Sequence, residues 1–566
     1  MELPPTAVTL ATPDEAKDAP RAARRTGRVG RQSDDGRDGH RRHDRERLGS
    51  AGPRTSSSSS SSPSTSAGPL LGSPLWPAGL AVLFTLAQLA LVVPGSGLGW
   101  DEAVYVSQVG GNAPAAFFSA PRARGVSYLV APVAAFTDST VAIRVYLALL
   151  SGAALWGALR AWRGILPASV LTAGGALFTG LWVTLFYGPR VMPNLWCAFG
   201  ALAAVGFFLR VADGGRGGVT CRAGAAGRGG VVGRAALVGL GLTVAGVTLF
   251  RPGDGLWLVL PLGAAALLVP AWRRRATALT VVLAGGLALG ALPWIVEAYA
   301  HYGGLAARLR RAGEIQGSLG WYLSVDDHVR ALVGRTLCRP CDVPWDHPFT
   351  AVWWFLLPAA VAAGVVAAFR AGRGAPALLA TVTAAALAAP YLFTVGYAAP
   401  RFLLPAYALL AVPVGECAVS LFAAVRSARW RRAGTALLAV ALLGHLAVQY
   451  AVLDRAVSNS RSVRVQFTAV ASALHGHGVR PPCLVTGREY VLIGYYAGCS
   501  SRQPRGHDES ITPDGIAAAA RRMPVAVIVP AGAAPPDYAR AWRSVRLPST
   551  GSWERHDAYV SPRTRR

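Results

Sequence analysis

The sequence predicts a mostly helical, polytopic membrane protein of about eleven transmembrane helices, followed by a small extracytoplasmic α/β domain. Three observations predict it. Of the 566 residues, 52% are hydrophobic and only 15% are charged. Apolar runs of the roughly 20 residues needed to cross a ~30 Å hydrocarbon core recur from Pro74 onward. Arginines gather in every second connection between those runs, which is the positive-inside pattern.

Residues 1–72 are charged, rich in Pro and Gly, and broken by the serine run Ser56 to Ser62. Such a segment buries too little apolar surface to offset chain entropy, so it reads as a disordered cytoplasmic tail. The first apolar stretch starts too late for a signal peptide. A transmembrane domain over 73–454 follows, with spans near 75–95, 139–159, 165–186, 191–210, 233–250, 255–271, 276–297, 350–369, 375–396, 402–424 and 433–453. The basic groups between them are Arg160 and Arg163, a Gly-rich loop from Arg210 to Arg234, Arg273 to Arg275, Arg370 and Arg373, and Arg426 to Arg432. Placed inside, they put the N-terminus in the cytoplasm and the odd span count puts the C-terminal part outside. The formal net charge of +27 is distributed among these loops rather than gathered into one basic stripe, which excludes nucleic acid as a partner.

Two outer connections, 96–138 and 298–349, are too long to be turns and are expected to be functional and to contain short surface helices. In the soluble part, 455–566, Val463, Phe467, Val470 and Leu474 have helical spacing. The runs Cys483 to Thr486 and Val525 to Val529 read as buried strands between Gly/Pro breaks. Four cysteines fall outside by this topology, where disulfides are permitted: Cys338 and Cys341 in Cys-Arg-Pro-Cys, and Cys483 and Cys499. The C-x-x-C is read as a loop tie ahead of a redox pair, since no thioredoxin-like strand–helix context surrounds it, and ahead of a zinc site with His347. The other three, Cys197, Cys221 and Cys417, lie in spans or on the inner side.

Chemistry concentrates at the outer ends of spans. Trp100-Asp101-Glu102 follows the first span, with Tyr105 one turn on; an acidic pair is costly in lipid and must lie where the chain leaves the hydrocarbon. On the same side stand Tyr187-Gly188-Pro189-Arg190, Arg251-Pro252-Gly253-Asp254, Glu297 with His301 and Tyr302, and Tyr397 to Arg401. Each alone is ordinary: arginines snorkel, prolines open helices, and Tyr and Trp anchor at interfaces. Their convergence on one face is what points to a site. Guanidinium groups there suit a lipid-linked phosphate, which they bind bidentately, and a carboxylate suits removal of a proton from an acceptor hydroxyl.

The pieces Trp100-Asp101-Glu102-Ala103-x-Tyr105, the Arg190 segment, Leu249-Phe250-Arg251-Pro252-Gly253-Asp254 and Ala399-Pro400-Arg401-Phe402-Leu403-Leu404-Pro405 resemble those of GT-C fold glycosyltransferases. Together with the span pattern, they resemble the dolichyl-phosphate-mannose-protein mannosyltransferase and aminoarabinose transferase group (family 39-like), over about residues 75–450. The resemblance implies a polyprenyl-phosphate sugar as donor and a cell-wall glycan, lipid or protein as acceptor. It implies Asp101 as general base with Glu102 beside it, and Arg251 and Arg401 on the donor phosphate. Tyr105, Tyr187, Arg190, Asp254, His301 and Tyr397 complete the expected substrate site. Asn194 departs from the pattern, since many members carry an acidic residue there. No cofactor or metal site is read, with a divalent cation left open. The runner-up class is a transporter or flippase, against which stand the absence of an internal repeat and the position of the charges at outer boundaries; a third is an inactive glycan-binding scaffold.

Overall fold

A computed structural model describes residues 75–213, 226–318, 320–339, 341–342, 344–550 and 553–562, all within one compact unit, Pro69–Arg566. The expected tail over 1–72, Cys221 and most of the Gly-rich arginine loop lie outside the described residues. The chain runs through α1 (Trp76–Leu91), α2 (Trp100–Ser107), α3 (Gly125–Ala134), α4 (Thr140–Ala161), α5 (Ala168–Thr179), α6 (Trp182–Tyr187), α7 (Asn194–Ala212), α8 (Ala226–Phe250) and α9 (Pro252–Leu268). It continues through α10 (Ala276–His301), α11 (Leu305–Ile315), α12 (Val325–Ala331), α13 (Val352–Arg370), α14 (Gly374–Phe393), α15 (Leu404–Ser427) and α16 (Arg431–Gly476). Among the described residues, eight helices are long and apolar enough to cross a membrane, and α1, α5 and α9 are shorter apolar helices. The protein is a multi-pass membrane protein, and each of the eleven spans drawn from the sequence has its helix. The long connections hold α2 and α3, then α11 and α12.

Small residues let the bundle close. At the α5–α15 crossing, a Cβ on Gly174 would meet the Ala411 carbonyl oxygen at 2.0 Å, and one on Gly415 would meet that of Val170 at 2.5 Å. Gly364 of α13 likewise backs onto Pro413. In lipid, where apolar contact alone gives no preference for another helix, such close backbone approach carries the packing. α7 is buried along nearly its whole length and is the bundle's centre. A buried carboxylate, Glu416 of α15, receives two hydrogen bonds of 2.7 Å from half-buried Arg373. Arg373→Ala strands that charge, and we expect a loss of about 2–3 kcal/mol, below the ~3–5 kcal/mol of fully enclosed pairs. The check is a lowered thermal midpoint in detergent that Arg373→Lys partly restores.

The boundary drawn at 454 falls inside α16, which has 46 residues and continues unbroken. At about 1.5 Å per residue it is roughly twice as long as a bilayer core is thick. No Gly or Pro interrupts 445–475, and the apolar stripe of Leu453, Val457, Phe467, Val470 and Leu474 keeps helical spacing. That stripe passes from the bundle to a mixed five-stranded sheet of order β2-β1-β3-β5-β4. The strands are β1 (Leu484–Gly487), β2 (Ser500–Ser501), β3 (Val525–Pro530), β4 (Arg543–Arg546) and β5 (His556–Val560), with α17 (Tyr490–Ala497) and α18 (Pro513–Ala520) between them. β1 pairs in parallel with β2 and β3, while β5 is antiparallel to β3 and β4. Cys483 and Cys499 are disulfide-bonded and tie the starts of β1 and β2.

The sheet domain docks on the first long loop. Trp100 meets Tyr490 edge-on at 5.2 Å, the Tyr496 hydroxyl accepts from the Leu98 amide at 3.1 Å, and Asn112 donates to the Tyr495 carbonyl at 2.7 Å. α17 thereby fixes the helix that carries Asp101 and Glu102.

Candidate active site

α2 is capped by Gly99, whose extended backbone leaves its amide free to donate to the Glu102 carboxylate at 2.9 Å. This capping arrangement places consecutive acidic residues on different sides of the first turn. The two then have opposite environments: the Asp101 side chain is 35% exposed and that of Glu102 only 3%.

Glu102 is enclosed by cations. Arg144, from the first turns of α4, donates to both of its oxygens, one at 2.9 Å. Arg190 donates at 2.9 Å and the Val191 amide at 2.8 Å. Arg144 also donates to the carbonyls of Gly97 at 2.6 Å and Pro189 at 2.8 Å. One carboxylate therefore ties α2, α4 and the segment entering α7. Burial pushes the Glu102 carboxyl up, but Arg144, Arg190 and the amide donors outweigh it and hold it down at about 2. Both of its oxygens are occupied by these donors, and it meets the cavity beside Asp101 only at its edge.

Asp101 faces a cavity of about 210 Å³ shared with Tyr187, Arg190, Leu337, Arg401 and Ser460. Arg122, from the loop before α3, donates to it at 2.6 Å, and Arg401 at 3.4 Å. Burial acts to raise the Asp101 carboxyl; Arg122 and Arg401 overcome it and keep the group below the usual carboxylate range. Arg401 donates in turn to the Thr336 carbonyl at 2.5 Å, and Tyr187 shares the cavity with it. Thr336 is set by a two-residue bridge between Cys338 and Ala398, and the Cys338–Cys341 disulfide closes that loop.

Arg251 joins this group through an aromatic stack. Its guanidinium lies 5.3 Å from the Phe402 ring centre, and Arg401 lies 5.2 Å from the same ring. Phe402 stacks on Tyr391 at 5.0 Å, and the Tyr391 hydroxyl donates to Asp254, which also faces Arg251 at 3.7 Å. Among the described residues the Arg251 guanidinium makes no hydrogen bond within normal reach. Tyr105 is buried one turn after Asp101, edge-on to Phe118 at 6.0 Å. Tyr397 packs on Phe402 and carries Arg339 over its ring at 4.8 Å.

Asp101, Glu102, Tyr105, Tyr187, Arg190, Arg251, Asp254, Tyr397 and Arg401 thus converge at one end of the bundle. His301 does not: it sits exposed at the last residue of α10, away from the cavity. Its neighbours are the useful ones. Glu297 accepts from Arg124 at 2.5 Å and Arg308 at 3.1 Å, and Tyr302 donates to the Phe118 carbonyl at 2.7 Å. Fully buried Arg308 also donates to the carbonyls of Ala120, Arg122 and Trp294, fastening the loop that presents Arg122. Arg122, Arg144 and Arg308 were not singled out from the sequence. Arg144 had a readable signal, an arginine near the outer start of a span where the charge rule disfavours one. At the other ends of α4 and α7, Arg210 donates to the carbonyls of Arg160, Ala161 and Arg163, so the basic clusters lie opposite the site. Among the described residues no three His, Cys, Asp or Glu side chains form a metal-binding group.

This architecture has solved counterparts. ArnT from Cupriavidus metallidurans bound to undecaprenyl phosphate matches with a TM-score of 0.59 at 14% identity, over 87% of this chain and 99% of that one. Its apo form matches with a TM-score of 0.55 at 13% identity, over 86% and 97%. The Archaeoglobus fulgidus oligosaccharyltransferase AglB, in complex with an inhibitory peptide and a dolichol-phosphate, matches with a TM-score of 0.48 at 14% identity, over 80% and 69%. No family model and no curated protein sequence matches. The chain has the GT-C fold over most of its length.

Proposed function

We propose that the protein is a membrane glycosyltransferase that moves a sugar from a polyprenyl-phosphate donor to an acceptor hydroxyl at the outer face of the cytoplasmic membrane. The observation that carries this reading is Asp101: a partly exposed carboxylate in a cavity, paired with arginines that have anion-binding capacity beyond it. Likeness in fold to an ArnT that holds undecaprenyl phosphate supports the donor class.

In this mechanism the donor phosphate takes Arg401 and Arg251, whose planar forks match phosphate oxygens. Asp101 accepts the proton of the acceptor hydroxyl as that oxygen bonds to the anomeric carbon. The bond from that carbon to the phosphate oxygen breaks, and the electron pair leaves with the phosphate, where the arginines stabilise it. Arg251→Ala and Arg401→Ala are expected to weaken polyprenyl-phosphate binding by roughly 10-fold or more, with Lys restoring only part because it lacks the fork. Unchanged affinity in both Ala variants would return these arginines to a structural role.

The same geometry sets the pH dependence. Arg122 and Arg401 keep Asp101 ionised in the empty site, so the loss of activity on acidification starts below the usual carboxylate range in kcat/KM. An arriving phosphate draws Arg401 away and adds negative charge, which strengthens Asp101 as a base. The acid limb of kcat should therefore lie at higher pH than that of kcat/KM, and Arg122→Ala should move the kcat/KM limb upward. Coincident limbs that Arg122→Ala leaves in place would count against Asp101 as the titrating base. For orientation, a reporter fused after Arg274 is expected in the cytoplasm and one fused at the C-terminus outside; a cytoplasmic C-terminus would move the site to the inner face.

A further inference from the structure

The last carbonyls of a helix have no partner within it. At the end of α14 that lack is met by another segment of the chain. The amides of Gly320, Tyr322 and Ser324 donate to the carbonyls of Thr394, Phe393 and Leu392 at 3.4, 3.0 and 3.0 Å, and the Ser324 hydroxyl donates to Val395 at 2.6 Å. Donation by every second residue is the pattern of an extended strap, whose side chains alternate between two sides. Trp321 and Leu323 therefore share a side, and they are 91% and 75% exposed. Phe393, whose carbonyl accepts from the Tyr322 amide between them, ends a row of exposed apolar residues on α14 that includes Leu378 and Val382 at helical spacing. That row belongs to a membrane-spanning helix.

We propose that residues 320–324 form an interfacial anchor, with Trp321 and Leu323 inserted among the lipids of the leaflet at the site's end of the bundle. The occupant is lipid because the strap is hydrogen-bonded to the end of a span and its apolar side continues that span's lipid-facing stripe. A Trp at this depth places its ring at the headgroup boundary, where an apolar body and a polar N–H are both satisfied. Asp326 and Asp327 follow at once on α12 and mark where the chain returns to water.

The anchor has a consequence for the cavity, which rests on the function proposed above. Beyond α12 the same loop supplies Leu337 to the cavity wall and the Thr336 carbonyl to Arg401. Lipid contact at Trp321 would hold this wall at headgroup depth, where the phosphate of a laterally diffusing donor lies.

The test introduces Trp321→Cys, Leu323→Cys or Asp326→Cys singly into a Cys221→Ala, Cys417→Ala background, leaving buried Cys197 and both disulfides intact. Each is nitroxide-labelled in full-length protein in phosphatidylcholine/phosphatidylglycerol nanodiscs. Positions 321 and 323 should be relaxed by oxygen in preference to a water-soluble nickel complex, and position 326 by the nickel complex. Water-like accessibility at 321 and 323 overturns the anchor. Protection there from both reagents also overturns it, by pointing to a second copy or another protein. As the functional arm, Trp321→Glu with Leu323→Glu should slow transfer from a long-chain donor in vesicles at least tenfold more than from a short, detergent-soluble analogue. Lipid accessibility with equal loss on both donors keeps the anchor and contradicts its link to donor access; no transfer by the wild type from either donor instead contradicts the proposed function and leaves the accessibility result standing.

Discussion

Asp101→Asn is expected to lower turnover by roughly 10²-fold or more, the usual scale of a lost general base. The substitution keeps size and hydrogen-bonding capacity but cannot accept the acceptor's proton. The Asp101 side chain borders the cavity and is partly exposed, so an Asn of the same size fills its place and still accepts from Arg122 and Arg401. Donor binding should be retained or tightened, because Arg122 and Arg401 lose the anion that competes for them. This combination, slower chemistry with equal or stronger binding of polyprenyl phosphate, separates a base from a binding residue. Measured by single turnover in proteoliposomes, near wild-type transfer would remove Asp101 from the chemistry.

The second large effect lies one residue away and concerns folding. Glu102→Gln leaves Arg144 and Arg190 buried around a neutral group, and removing one partner of an enclosed ionic cluster costs about 3–5 kcal/mol. We expect a clear fall in the thermal midpoint of purified protein and reduced yield from membranes. Pairing Glu102→Gln with Arg144→Met restores the cluster's net charge and should recover part of the loss. Acid acts on the same cluster. Since the folded Glu102 carboxyl is held down at about 2, its contribution is complete above the ordinary carboxylate value and is lost as pH falls toward that number. A stable Glu102→Gln protein that binds donor but does not turn it over would move the base to Glu102.

These two neighbours show what was and was not legible in the sequence. Length and apolarity located the spans, because a bilayer permits few solutions and each must repeat. The acidic pair and the arginines at 190, 251 and 401 stood out because charge at an apolar boundary is rare. What was not legible is the difference in environment within the pair, Asp101 partly open and Glu102 enclosed. It depends on Arg144, which sits 42 positions away on another helix, and on the Gly99 cap that turns Glu102 inward. Arg122 and Arg308 were hidden for a similar reason: long loops carry no periodicity to say which side chains turn inward. His301 attracted attention as a titratable group near a span end, yet the chain's turn at Gly303 and Gly304 directs Tyr302 inward and leaves His301 outside. The 454 boundary was drawn on polarity alone, and α16 carries its stripe across that change in polarity.

The central claim is that the cavity at Asp101 consumes a lipid-linked sugar. The most direct measurement is mass spectrometry of polyprenyl-phosphate sugars extracted from cells that lack the protein, complemented with wild type or Asp101→Asn at matched membrane levels. The account predicts that one polyprenyl-phosphate sugar accumulates without the protein, returns to its normal level with wild type, and stays elevated with Asp101→Asn. An unchanged lipid pool in cells lacking the protein, or full correction by Asp101→Asn, would contradict it.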